Sequence, residues 1–155
     1  MLVEFRSDWD DATLQALSLI HQEVLPYQGW DFPSLKSTLE TGGTYIRFAC
    51  IGSTPTGFIL YRDSIDCLEL LTIAVAQNYQ RQKIGRHLIE FMLNAYAEKP
   101  CLLEVAADNI AAQHLYHVLG FIHINTRKAY YFRGHKPASD ALIFKRPPIS
   151  QEPVA

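Results

Sequence analysis

The stretch "NIAAQHLYHVLGF", residues 109–121, carries a helix, both of its ends and the start of a strand. Asp108 and Asn109 are both residue types whose side-chain oxygens cap helix N-termini, so a helix is predicted from about Ile110 to Leu119. Gly120 stands where a helix needs a residue tolerant of left-handed torsions in order to stop. Phe121 then opens an apolar run of strand-like composition.

Reading outward, "CLLEVAA" (101–107) is a short apolar run behind Pro100 and is predicted as a buried strand. "FIHINTR" (121–127) and "SDALIFKR" (139–146) are predicted as the last two strands, with "KAYYFRGHKP" connecting them. Upstream, apolar residues at positions 84, 88, 91, 92 and 95 have helical spacing, and Pro100 closes that helix. Before it, "TYIRFACIG" (44–52), "GFILYRDS" (57–64) and "CLELLTIAV" (67–75) form a meander of three β-rich runs.

At the N-terminus "LVEFR" (2–6) alternates as a strand. Ser7 and Asp10 have capping-box spacing before a helix running to about Val24, and "SLKSTLET" (34–41) is predicted as a second, short helix. The aromatic loop "LPYQGWDFP" (25–33), with two prolines and a glycine, separates them. The order is strand, two helices, three strands, helix, strand, helix, two strands. It predicts an α/β (α+β) domain, a mixed sheet with helices on both faces.

The 155 residues are 48% hydrophobic with no compositional break, which predicts one domain over residues 1–146. The proline-rich tail, residues 147–155, is expected to be disordered. Fourteen basic and 16 acidic residues leave a formal charge of -2, so no general attraction draws the chain to nucleic acid or an anionic membrane. Cys50, Cys67 and Cys101 sit in apolar, strand-like runs without metal-ligand spacing, as reduced core thiols would. With no signal-like N-terminus and no apolar run of spanning length, a soluble cytoplasmic protein is expected.

Chemistry concentrates in three places. "YQRQKIGRHL" (79–88) joins the end of a strand to the start of a helix, where free backbone N–H groups and the positive end of a helix dipole make an anion site. It matches neither GxxxxGK[ST] nor GxGxxG, so readings as an ATP loop or a dinucleotide loop fall away. An ordinary helix start is the plainer alternative. Glu104 lies in an otherwise apolar strand, where a carboxylate is costly unless it faces a cleft or a partner, so it is a candidate base or else a strand-edge residue facing solvent. Tyr116 is a candidate acid or a core residue, and Asn109 can cap its helix, contact a ligand, or do both. His114 and His117 are three apart on a helix but have no third ligand at compatible spacing, and no metal is expected.

Asn109, Ala112, Leu115, Tyr116, Gly120 and Phe121 together fill every place of a signature of the GCN5-related N-acetyltransferase (GNAT) superfamily, which this sequence resembles. That superfamily's phosphate loop reads Gln or Arg, two residues, Gly, one residue, Gly or Ala. Gln80 and Gly85 match its ends, while Lys83 stands where the first Gly is usual. The likeness is greatest to the Rim-type ribosomal-protein-alanine N-acetyltransferase group, across residues 69–145, including the trio Arg127, Tyr130 and Tyr131. Ala106 and Asp108 replace an Arg and a Ser usual in that group.

The resemblance implies a GNAT fold, with a mostly antiparallel sheet of about seven strands, and acetyl-CoA as co-substrate. It implies Glu104 as base through a water and Tyr116 as the acid that protonates the departing thiolate. It further implies cofactor contacts at Ile73, Val75, Gln80, Arg81, Gln82, Lys83, Gly85, Arg86 and Asn109, and acceptor contacts at Trp30, Tyr130 and Tyr131. Lys83 is expected to keep ordinary torsions and offer its N–H to phosphate, leaving Gly85 as the one position that must be small. The implied acceptor is a protein N-terminus, foremost that of a small-subunit ribosomal protein. A small polyamine or aminoglycoside, and a non-catalytic acyl-CoA-binding module, are the alternatives.

Overall fold

The computed structural model describes residues 2–133 and 136–149, with the side chains of residues 131–133, 136 and 137 left aside. Seven strands form one sheet: β1 (Val3–Arg6), β2 (Thr44–Ile51), β3 (Thr54–Asp63), β4 (Leu68–Val75), β5 (Cys101–Ala106), β6 (Ile122–Arg133) and β7 (Lys136–Arg146). Four helices accompany them: α1 (Asp11–Val24), α2 (Phe32–Glu40), α3 (Ile84–Ala95) and α4 (Ile110–Val118). The sheet order is β1-β2-β3-β4-β5-β7-β6, and every neighbouring pair is antiparallel except β4 and β5. The expected element order and layering hold.

Alternation along the strands assigns the two faces. Ile46, Phe48, Phe58 and Leu60 are buried with Leu14, Leu17 and Leu35 of α1 and α2. Ile59, Leu68, Leu70, Leu103 and Val105 are buried with Leu88, Ile89 and Met92 of α3 and Tyr116 of α4. On β4 the alternation breaks, because Leu60 pairs with Thr72 while Tyr61 pairs with Leu70, which leaves Leu71 as an extra residue. This β-bulge shifts the parity, so that Leu68 and Leu70 face α3 whereas Ala74 faces α1.

Several ends differ from the sequence expectation. Asp10, not Ser7, caps α1: its carboxylate accepts from Thr13 N at 2.8 Å and Thr13 Oγ1 at 2.7 Å, which holds it below the usual Asp range. α2 begins two residues early because Asp31 accepts from Ser34 N at 2.9 Å and Pro33 fits the first turn. α3 ends at Ala95, well ahead of Pro100. β6 and β7 extend through most of the expected connection, with register shifts between Arg127 and Tyr131 that absorb the extra residues. Gly120 has φ of +90°, as a helix stop requires. Of the tail expected to be disordered, residues 150–155 lie outside the described residues, and Ile149 N donates to Ala97 O at 2.9 Å. No described helix is long and apolar enough to cross a membrane.

His21 ties α1 to β4. Its ring is wholly buried, Nε2 lies 2.9 Å from Thr72 Oγ1, and Nδ1 has no partner among the described residues. Burial lowers its pKa from 6.5 to about 4, so the folded ring is neutral where the unfolded one already binds a proton. The stability this preserves is full above pH 6.5 and is lost as pH falls toward 4, by at most about 3 kcal/mol. Urea unfolding at pH 7 and at pH 4.5 should therefore show a smaller stability loss in His21→Gln than in the wild type. Equal losses would mean that His21 titrates normally.

Candidate active site

β4 and β5 pair at only three positions, Leu68↔Cys101, Glu69↔Leu102 and Leu70↔Leu103, and then part. Beyond Leu70 the β4 backbone keeps β3 on one side and has no strand on the other. A cavity of about 260 Å³ fills this opening, lined by Ile73, Val75, Gln80, Gly85, Glu104, Asn109 and Tyr116 among others. A second, of about 290 Å³, opens on the far side between the α1–α2 loop and the sheet, lined by Gln28, Trp30, Glu69, Glu104 and Tyr130. Gln28, Leu70, Leu71 and Glu104 belong to both, so the carboxylate stands at their junction.

Glu104 reaches that junction by alternation. Cys101, Leu103 and Val105 are buried against α3 and α4, which turns Glu104 to the opposite face, beneath the α1–α2 loop. There its Oε1 lies 3.2 Å from Arg127 Nη1, with the Glu104 side chain 30% exposed and that of Arg127 53% exposed. Arg127 stands opposite Ala141 on β7 and Glu104 opposite Ile143, so the ion pair bridges over β7. The Arg127 guanidinium also lies 5.4 Å from the Tyr130 ring centroid, linking the carboxylate to an aromatic ring that lines the second cavity.

Tyr116 is buried at 5% exposure, edge-on to Phe121 with ring centroids 5.7 Å apart, yet it lines the first cavity. The core and cavity readings of this tyrosine both hold. Asn109 likewise does two things: its Oδ1 accepts from Ala112 N at 3.2 Å as the α4 cap, and the residue lines the same cavity.

Residues 76–83 lead from β4 into α3 through a short 3-10 turn, Gln77–Tyr79, that the sequence reading did not anticipate. Gln80 Nε2 donates to Val75 O at 3.0 Å, folding the loop back onto the last residue of β4. Arg81 and Lys83 have φ of +63° and +65°, so the expectation of ordinary torsions at Lys83 is wrong. A left-handed backbone is needed there, which explains a usual Gly, and lysine adopts it at a cost of about 1 kcal/mol or more. Left-handed residues at alternate positions are the backbone ingredient of an anion-binding nest. A cavity of about 360 Å³ at this helix start is lined by Gln80, Arg81, Lys83, Gly85 and Arg86, and it shares Val75, Gln80 and Gly85 with the groove between the strands. Gln82 lines none of these three cavities. Arg86 Nε is held 2.9 Å from Glu90 Oε1.

The groove thus offers an unpaired strand edge, an apolar floor and a cationic helix start in one line. Such a surface could hold a linear molecule with amides along its length and phosphate at one end. The chain's residues 4–121 match the family model described as "Acetyltransferase (GNAT) family". This chain belongs to that family. Its members use acetyl-CoA as acetyl donor.

Among curated GNAT relatives, the [ribosomal protein bS18]-alanine N-acetyltransferase of Escherichia coli is 33% identical over 106 residues, 64% of this chain and 72% of the relative. The N-alpha-acetyltransferase RimI of Mycobacterium tuberculosis is 36% identical over 94 residues, 59% of this chain and 54% of that protein. The crystal structure of the Escherichia coli ribosomal-protein-S18-alanine N-acetyltransferase superposes with a TM-score of 0.86 at 26% identity, covering 99% of both chains. The NatC complex bound to Gag peptide and CoA shares the fold, with a TM-score of 0.78 at 19% identity over 95% of this chain and 99% of that one.

Against this GNAT frame, the site residues expected from sequence gather in connected cavities, apart from Gln82 and Tyr131, whose side chain lies outside the described residues. The Arg127–Glu104 pair was not read from sequence as a site feature, because residues 23 apart with a strand between them leave no local spacing signal. A Cβ built on Gly85 would meet Ile73 Cδ1 at 3.6 Å and Val75 Cγ2 at 3.7 Å, ordinary contacts. Gly85→Ala should therefore fold normally, while Gly85→Val should keep its melting temperature within a few degrees and lose CoA affinity by more than ~10-fold as its methyls enter the groove. Lys83→Gly should raise stability by up to about 1 kcal/mol with only a few-fold loss of CoA affinity, checked by urea unfolding and calorimetric titration.

Proposed function

We propose that this GNAT chain transfers the acetyl group of acetyl-CoA directly to the N-terminal α-amine of a protein, with a small-subunit ribosomal protein as the leading acceptor. The observation that carries this is the place of Glu104, at the junction of a groove suited to acetyl-CoA and a second cavity that opens under the α1–α2 loop. The named activities of the relatives from Escherichia coli and Mycobacterium tuberculosis support the choice of acceptor.

The chemistry needs an uncharged amine, a polarised thioester carbonyl and a proton for the departing thiolate. An α-amine titrates near ~8 and a lysine amine near ~10.4, so reaching the neutral form at pH 7 costs about 1.4 kcal/mol for the first and nearly 5 for the second. The α-amine is the easier acceptor. Glu104 takes its proton through a water, and Tyr116 supplies the proton to sulfur. Ile73 and Val75 pair with the amides of the pantetheine arm along the open edge of β4, Asn109 contacts the same arm, and residues 80–86 hold the pyrophosphate. Trp30, Tyr130 and Tyr131 hold the first residues of the acceptor.

Transfer in a ternary complex fits the cysteines. Cys101 faces the α3 side of the sheet with its thiol pushed up to about 12 by burial, so it offers no thiolate at neutral pH. The acceptor cavity also weighs against polyamine and aminoglycoside substrates. Its two carboxylates are both matched by arginine, Glu104 by Arg127 at 3.2 Å and Glu69 by Arg62 at 3.5 Å, leaving no acidic excess to hold a polycation.

Incubation with labelled acetyl-CoA, a panel of N-terminal peptides and intact ribosomal proteins, followed by mass spectrometry, should place the acetyl group on an α-amine. Labelling of lysine side chains alone would overturn the acceptor, and tight acetyl-CoA binding without turnover on any amine would favour a binding module. Glu104→Gln and Tyr116→Phe should each lower kcat by ~10²-fold or more with CoA affinity retained. Arg127→Met should lower kcat/KM by about 10-fold, with partial recovery in Arg127→Lys, if the guanidinium serves to orient Glu104.

A further inference from the structure

A larger cavity, of about 610 Å³, shares none of its lining residues with the acetyl-transfer cavities. It lies at the first half of β2. β1 covers β2 only from Phe48 to Ile51, so residues 44–47 have β3 on one side and no strand on the other. Five aromatic residues, Trp9, Tyr45, Tyr61, Phe91 and Tyr96, line the cavity, and Arg47 is the only charged residue among its walls.

Arg47 is unlike the other described arginines of the sheet and helices. Arg6, Arg62, Arg86 and Arg127 each meet a carboxylate, and Arg146 donates to Leu119 O. The guanidinium carbon of Arg47 lies 3.3 Å from the Phe91 ring centroid, and no described residue accepts a hydrogen bond from the group. Its Nε is fully buried and unpartnered. Burial accordingly presses the group below its ordinary pKa, while it presses the neighbouring Tyr61 phenol above its own, so the cavity supplies no counter-anion. A side chain kept only to cover Phe91 would do so better without a polar N–H to desolvate, a cost of roughly 1–3 kcal/mol.

Stacking on an aromatic face leaves the N–H donors of a guanidinium in its own plane, where the two terminal Nη groups form a fork that matches a carboxylate while Nε stays buried. One cation suits a monoanion better than a phosphate dianion, which would remain half-neutralised. The walls suit a flat apolar body: the Tyr45 and Tyr61 rings are stacked at 5.7 Å with 28° between planes, and Tyr96 meets Tyr61 edge-on at 5.8 Å. The volume is that of a small-molecule site. We propose that this cavity binds a small carboxylate with a flat apolar body, its carboxylate on Arg47 and its body against the aromatic walls, as a ligand site separate from acetyl transfer.

The test titrates the full-length protein with 3-phenylpropionate and with its neutral amide, 3-phenylpropionamide, by ligand-observed NMR and calorimetry. The acid should bind saturably, with the amide weaker by at least ~10-fold. Arg47→Met should lose acid binding by a similar factor, Arg47→Lys should fall between, and both should bind CoA as the wild type does. Relieved of an unpaired buried donor, Arg47→Met should melt no lower than the wild type. Equal binding of acid and amide, no saturable binding at millimolar concentration, or unchanged acid binding in Arg47→Met would each overturn the proposal. So would a marked fall in the melting temperature of Arg47→Met, which would make the stack on Phe91 the reason for the arginine.

Discussion

The parting of β4 from β5 after Leu70 and Leu103 is the constraint on which the rest of the site depends. Unpaired backbone inside a sheet is costly, and the fold limits that cost at both strand ends with glutamine amides. Gln80 Nε2 bonds Val75 O on β4, while Gln113 Nε2 bonds Ala106 O at 3.2 Å and Ala107 O at 2.9 Å where β5 ends. What remains open is a strand edge of β4 inside the sheet, bordering the groove, with backbone groups free to pair with the amides of a bound molecule.

The bulge at Leu71 does a second job. By shifting the parity of β4 it turns Thr72 toward α1, where His21 meets it, and leaves Ile73 and Val75 on the side of α3. The floor of the groove is thereby held from both faces of the sheet, by a buried neutral imidazole on one side and by the first turn of α3 beside Gly85 on the other. Alternation on β5, which has no bulge among its paired residues, then sends Glu104 to the α1–α2 face while Val105 stays in the core. A carboxylate in an apolar strand is explained by this geometry, since only one of its two faces is sealed.

Much of this was legible in the sequence because it is local. The α4 cap, the helix stop at Gly120 and the strand–loop–helix around residues 75–84 each leave a mark within a few residues. The connected cavities follow from those elements once the sheet order is fixed. Features that depend on register were not legible. The extra residue at Leu71, the length of the β6–β7 pair and the bridge from Arg127 to Glu104 are set by which residue faces which across strands. The left-handed torsions at Arg81 and Lys83 were hidden for a different reason: local propensity argues against them, and the turn between β4 and α3 overrides it.

The Arg127–Glu104 pair holds a carboxylate at the junction of two cavities without locking it. Ion pairs this exposed contribute about 0–1 kcal/mol, whereas breaking a buried pair costs about 3–5. A water or ligand group that displaced the guanidinium from Glu104 would therefore give up little, and Arg127 would keep the Tyr130 ring at 5.4 Å to rest against. The guanidinium also puts a positive charge next to Glu104 and Tyr130, two residues that line the second cavity, and so disfavours further positive charge beside them. Under the proposed function, an acceptor whose only positive charge is its α-amine would meet least resistance beside that cation.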